Sequence, residues 1–188
     1  MPIRLLTLIM LCFLLVSSPF VYAESGSGHN INADMAKSKA RPTVSAENVN
    51  YHEDTGLYAL AGNVRIKLAE RTFLTQTARI NPVSLLLWTD GGSEIIEGEL
   101  HFTCDAMYAE LSGNTVWCFG TRCGVERPGL VIHGDNMQYN WDTHIVTFDG
   151  HVLCVQKGKS TTASHLEFDL DKNDIVRYDY ALSSKKAR

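Results

Sequence analysis

One stretch of this chain occurs twice. Ala46-Glu47-Asn48-Val49-Asn50-Tyr51, through Asp54-Thr55 to Gly62-Asn63-Val64, matches residues 134–152 at a constant offset of 88. Asn48, Tyr51, Asp54, Thr55, Gly62 and Val64 return as Asn136, Tyr139, Asp142, Thr143, Gly150 and Val152. A weaker copy lies between them, with Asp105-Ala106-Met107, the turn Ser112-Gly113-Asn114, then Val116, Cys118 and Gly120. A still weaker one ends in Gly91-Gly92, and residues 166–180 repeat the first half once more. Self-similarity at a fixed period sets the architecture before any motif does, and here it defines about five units of about 30 residues.

Within a unit the apolar period is two. Val64, Ile66 and Leu68 fall on one face with Tyr58 and Leu60, while Asn63, Arg65 and Lys67 fall on the other; Val146, Phe148, Val152 and Cys154 repeat the pattern. Asp54-Thr55-Gly56, Ser112-Gly113-Asn114, Arg127-Pro128-Gly129, Asp142-Thr143-His144 and Lys157-Gly158-Lys159 carry turn chemistry. The expectation is an all-β chain of about ten antiparallel strands of roughly 8 to 13 residues, joined mainly by hairpins. Glycine weakens a strand interior and marks a bend or bulge, so its recurrence at 62, 91 or 92, 120 and 150 predicts a common fold line. A sheet bent along that line becomes a V or flattened roll. Apolar residues from both halves then line one trough, closed as a core or open as a groove.

Composition sets the outer limits. With 45% hydrophobic residues and 20% charged, the chain is globular, which excludes disordered, collagenous and multi-pass membrane architectures. Seventeen Lys and Arg against 21 Asp and Glu leave no basic footprint for nucleic acid. Arg4 followed by eleven apolar residues in positions 5–16, then Val21-Tyr22-Ala23, has the layout of a secretory signal cleaved between Ala23 and Glu24. The expected organisation is a signal peptide over 1–23, a flexible polar arm over 24–42, one β domain over 43–182 and a basic tail over 183–188.

The export signal, the repeated Asn-x-x-Tyr-x-x-Asp-Thr, and Gly62-Asn63-Val64 and Gly150-His151-Val152 behind alternating apolar residues together resemble the OstA-like family. The resemblance covers residues 44–180 and is strongest to the periplasmic bridge proteins of lipopolysaccharide transport. It implies a folded-over sheet, the β-jellyroll or β-taco, whose interior carries the acyl chains of lipopolysaccharide through its lipid A moiety. It also implies a periplasmic protein whose open end strands pair with OstA-like domains of inner- and outer-membrane transport components, or head to tail with further copies. Two units depart from the pattern: Gly120-Thr121-Arg122-Cys123 lacks the Val two residues past Gly, and residues 88–96 are barely a copy.

By strand parity the inward candidates are Tyr58, Leu60, Val64, Ile66, Val116, Cys118, Val146, Phe148, Val152, Cys154, Val176 and Tyr178, as groove lining or as plain core. An apolar groove suits lipid transfer because each methylene taken from water is worth about 0.8 kcal/mol. Cys104, Cys118, Cys123 and Cys154 form an even set, which in an oxidising compartment allows three disulfide connectivities; buried free thiols are the other reading. The seven histidines show no ligand pair, and Asp54 with Asp142 occupies equivalent turn positions, each expected to bond its own backbone. No nucleophile elbow, phosphate loop or dinucleotide fingerprint is present, so no cofactor, metal or enzyme activity is expected. Three other readings stand beside the carrier: a membrane-anchored OstA-like component, a ligand-free β-scaffold and a cupin-like enzyme.

Overall fold

The computed structural model describes Ile31 and residues 42–179. The expected signal segment with its Ala23–Glu24 junction, the basic tail, and all of the arm except Ile31 and Pro42 lie outside the described residues. Ile31 itself is 7% exposed and belongs to the core.

Twelve strands form one antiparallel sheet. They are β1 (Thr43–Ser45), β2 (Asn48–His52), β3 (Leu57–Leu68), β4 (Arg71–Asn81), β5 (Leu86–Glu97), β6 (Leu100–Cys104), β7 (Ala106–Glu110), β8 (Thr115–Arg127), β9 (Leu130–Asn140), β10 (Ile145–Gln156), β11 (Lys159–Asp169) and β12 (Asp174–Asp179). β1 and β2 pair with successive halves of β3, and β6 and β7 lie in line between β5 and β8, parted only at Asp105. Counting each such pair as one bent strand leaves the ten long strands expected from the repeat. Among the described residues the sheet runs from β1 to β12 without closing, and β1/β2 and β12 are its two ends.

The fold line is real and has a mechanism. Register slips between Ala61 and Val64 on β3, Thr75 and Thr77 on β4, Phe119 and Cys123 on β8, and Asp149 and Val152 on β10. At three of these slips an acid from the strand before lies against the glycine. Glu47 covers Gly62, Asp105 covers Gly120 and Asp135 covers Gly150, each so closely that a Cβ on the glycine would fall on the carboxylate. The same acids bond the residue one or two places past the glycine: Asn63 Nδ2 donates to Glu47, Arg122 to Asp105, and His151 Nδ1 lies 2.7 Å from Asp135 Oδ2. Glycine is required twice over, by φ of 77°, 105° and 78° and by the absence of a side chain.

A second repeat sets the turns. Gly56, Leu85, Asn114, His144 and Asn173, each immediately before a strand start, all adopt left-handed φ between 51° and 66° where the chain reverses. Three of these turns are capped by the side chains of Asn81, Asn140 and Asp169, which accept from the amides two and three residues ahead at 2.8 to 3.0 Å. Asp142 therefore does not bond its own backbone as the sequence suggested; its carboxylate accepts from Asn114 Nδ2 at 2.6 Å. The capping position falls earlier because an Asx side chain reaches the amide two residues on, and Asn140 holds that place.

Candidate functional site

Bending along the glycines brings the two halves of each strand face to face. The hairpin ends near residues 70, 98 and 128 then meet the turns near residues 141 and 171 across the interior. Ten of the twelve inward candidates, Tyr58, Leu60, Val64, Ile66, Val116, Cys118, Val146, Phe148, Val152 and Cys154, are buried in this interior. Val176 and Tyr178 are not, at 57% and 39% exposed. The register slips between Glu167 and Phe168, so Ile175 takes the place opposite Phe168 and Val176 is displaced; Tyr178 opposes Leu166 on the last of the described strands.

Parity in the poorly matching units hid the rest of the lining. Phe73 meets Trp141 edge-on at 6.3 Å between ring centroids, and Phe102 stacks on Tyr139 at 4.5 Å. These contacts join the two halves, so the interior is filled by the protein's own side chains. Phe73 alternates with Thr75 on β4 and Phe102 with Cys104 on β6, a period-two signal readable without any repeat match. At the fold line the inward positions turn polar or small. Thr89 Oγ1 and Ser93 Oγ share a hydrogen bond at 2.5 Å, and Ser93 Oγ donates to Thr75 Oγ1 at 3.3 Å. On β8 the slip holds one residue more than on β3, so Cys123 takes the inward place that Val64 has on β3.

A polar seam joins the lips of the V. Arg71 pairs with Glu97 at 2.5 Å and its guanidinium lies 5.2 Å from the Trp141 ring centroid, while Tyr139 Oη donates to Glu97 Oε2 at 2.9 Å. Burial, reinforced by the Glu97 charge, pushes the Tyr139 phenol far above its ordinary range, so it stays a donor. Further along, Arg127 Nη2 donates to Leu170 O at 2.6 Å and to Asn173 Oδ1 at 2.9 Å, and Gln156 Nε2 donates to Asn173 O at 2.5 Å. Opposite the seam, a cleft of about 1010 Å³ opens at the fold line, walled by Asn63, Arg65, Ser93, Cys104, Arg122 and His133 among others.

The titratable groups outside the interior are structural. His144 lies 2.8 Å from Asp171, and His165 lies between Asp149 and Glu167 at 2.7 and 3.3 Å. Among the described residues no group of three or more His, Cys, Asp or Glu is placed to hold a metal ion. Cys104, Cys118, Cys123 and Cys154 are all buried free thiols.

An open antiparallel sheet folded on itself over an apolar interior is a β-jellyroll of the folded-over kind. In structure the chain is similar to LptH of Pseudomonas aeruginosa, described as the LptA-homologous periplasmic component of the conserved lipopolysaccharide transport device. The TM-score is 0.53 over 58% of this chain and 82% of that chain, at 12% sequence identity. No family model matches the chain, and no curated protein matches it in sequence.

Proposed function

We propose that this chain is a periplasmic carrier of lipopolysaccharide that bridges inner and outer membranes, holding the lipid A acyl chains between the halves of the folded sheet. The observation that carries the reading is the combination of an apolar interior with a sheet that, among the described residues, does not close, in a fold shared with LptH. Open ends are normally blocked, because unpaired strand edges invite another strand. Here β1/β2 and β12 offer places for OstA-like domains of neighbouring components or for a second copy. Acyl chains enter by parting the seam at Glu97–Tyr139 and Arg127–Asn173, whose few polar contacts are cheaper to break than the core. Lipid methylenes then replace the cross-half contacts of Phe73, Phe102, Tyr139 and Trp141.

A ligand-free scaffold is the second reading, favoured by that same filled interior. Photocrosslinking separates the two. A benzophenone-bearing phenylalanine replaces inward Tyr58 in one protein and outward Lys67 in another, each is mixed with lipopolysaccharide and irradiated, and the lipid adduct is read by mass. The carrier gives an adduct at 58 and little at 67. A folded protein with no adduct at 58, or equal adducts at both, belongs to the scaffold.

A further inference from the structure

Three of the four thiols meet at the fold line. Asp105 N donates to Phe119 O at 3.1 Å, which sets Cys104 and Cys118, the residues just before each, diagonally across β6/β7 and β8. Thr103 pairs with Gly124, and its hydroxyl donates to Arg122 O at 3.1 Å, so Cys123 lies beside Cys104 on the other flank of the same slip. The Cys104 side chain is the leading influence on the Cys118 thiol, ahead of burial, and Cys123 acts on it only through its charge. Cys104 also walls the 1010 Å³ cleft, whereas Cys118 and Cys123 do not line it. Cys154 pairs with Ile132 and Thr161 on β9 and β11, away from this group.

We propose that Cys104 and Cys118 form a thiol–disulfide exchange site, entered from the fold-line cleft by a low-molecular-weight disulfide of the glutathione class. The Cys104 thiolate attacks one sulfur of that disulfide, breaks its S–S bond and expels one thiol, leaving a mixed disulfide on Cys104. The Cys118 thiolate then attacks the Cys104 sulfur and expels the second thiol. Two protein thiols are oxidised and one external disulfide is reduced to two thiols. The product ties the β6/β7 junction to β8 across the fold line and so fixes the bend between the halves. The neighbouring Cys104 and burial hold the Cys118 thiol well above its ordinary range, and burial pushes Cys123 up to about 12. Resolution is therefore slow at neutral pH and quickens as pH rises. None of this depends on lipid being carried.

The test is exchange of the reduced, folded chain with glutathione disulfide over increasing pH, followed by acid quench, alkylation and peptide mapping. The expected product has lost two alkylatable thiols and yields a linked Cys104–Cys118 peptide. Cys118→Ser stops at a glutathione adduct on Cys104, Cys104→Ser takes up nothing, and Cys123→Ser and Cys154→Ser oxidise like the parent. Four thiols still alkylatable in folded protein, a Cys104–Cys123 peptide as the main product, or unchanged oxidation in Cys104→Ser would each overturn the proposal. Should a variant not fold, mapping of the parent protein alone decides.

Discussion

A single glycine at the fold line is asked to satisfy two demands, and they can be separated by comparing it with a glycine that meets only one. Gly150 has φ of 78° and Asp135 against it; Gly158, in the hairpin after β10, has φ of 79° and open space. Gly158→Ala is expected to cost about 1–2 kcal/mol for the left-handed backbone alone. Gly150→Ala is expected to cost roughly 1–3 kcal/mol more, because the new methyl must displace the acid. Urea unfolding of both reads the difference, and equal losses would show that the acid exerts no pressure. His165 gives a second prediction at this scale. Its hydrogen bond to Asp149, opposed by partial burial and helped by Glu167, raises its pKa above 6.5. A raised folded-state value means stabilisation that is fully present below pH 6.5 and is lost as pH rises through the folded-state pKa. The stability gap between the parent and His165→Gln should therefore be widest in acid and narrow toward alkaline pH. A gap independent of pH would remove the charge from the explanation.

Along a strand, alternation decides which face is inside, and a slip of one residue moves every later side chain to the other face. The bulges prevent this reversal by absorbing residues at the glycine line, which is how Val64, Cys123 and Val152 all reach the interior although their spacing from the glycine differs. Outside, Trp88, Tyr108 and Trp117 form a cross-strand ladder with ring centroids 5.6 and 5.4 Å apart, which pins β5, β7 and β8 in register. The end strand behaves differently, because among the described strands β11 is its one neighbour. Val176→Lys replaces an exposed apolar residue on β12 and should leave folding within about 0.5 kcal/mol of the parent. It should also weaken end-to-end association, since edge lysines discourage strand addition. Sedimentation velocity over a concentration series checks this, and unaltered assembly would put the contact elsewhere. The seam is an element-level device too: Arg127→Ala removes the donor to Leu170 and Asn173 and should speed lipid loading while lowering stability.

For the whole molecule the question is whether the two halves part. The chain has three tryptophans, and of these Trp141 alone sits between the halves, against Phe73 and Arg71, while Trp88 and Trp117 belong to the outer ladder. In a protein carrying Trp88→Phe and Trp117→Phe, lipopolysaccharide entering the interior should shift Trp141 emission saturably. An emission spectrum indifferent to lipid, in folded protein, would favour the scaffold. On the carrier reading, opening is a motion of whole half-sheets hinged at the bulges, because interlocked side chains in a dense interior do not yield one at a time.

Much of this was legible in order and spacing. Alternation over 57–68 and 145–156, turn residues at regular intervals and glycines recurring in mid-strand are local signals, and they led to a folded-over antiparallel sheet and to ten of the twelve inward residues. Val176 was misplaced because a bulge in β12 leaves no glycine to announce it. Phe73 and Phe102 were passed over because their units barely match the repeat, although their strands alternate; that they meet Trp141 and Tyr139 depends on where the two halves land, which no local pattern records. The Glu97–Tyr139 bond of the seam has the same origin; Cys104 and Cys118 come together instead through the pairing of neighbouring strands at the fold line. Periodicity along the chain determined the strands and the line on which they bend; closure of the sheet on itself decided which side chains touch, since contacts between residues distant in sequence exist only once both halves are in place.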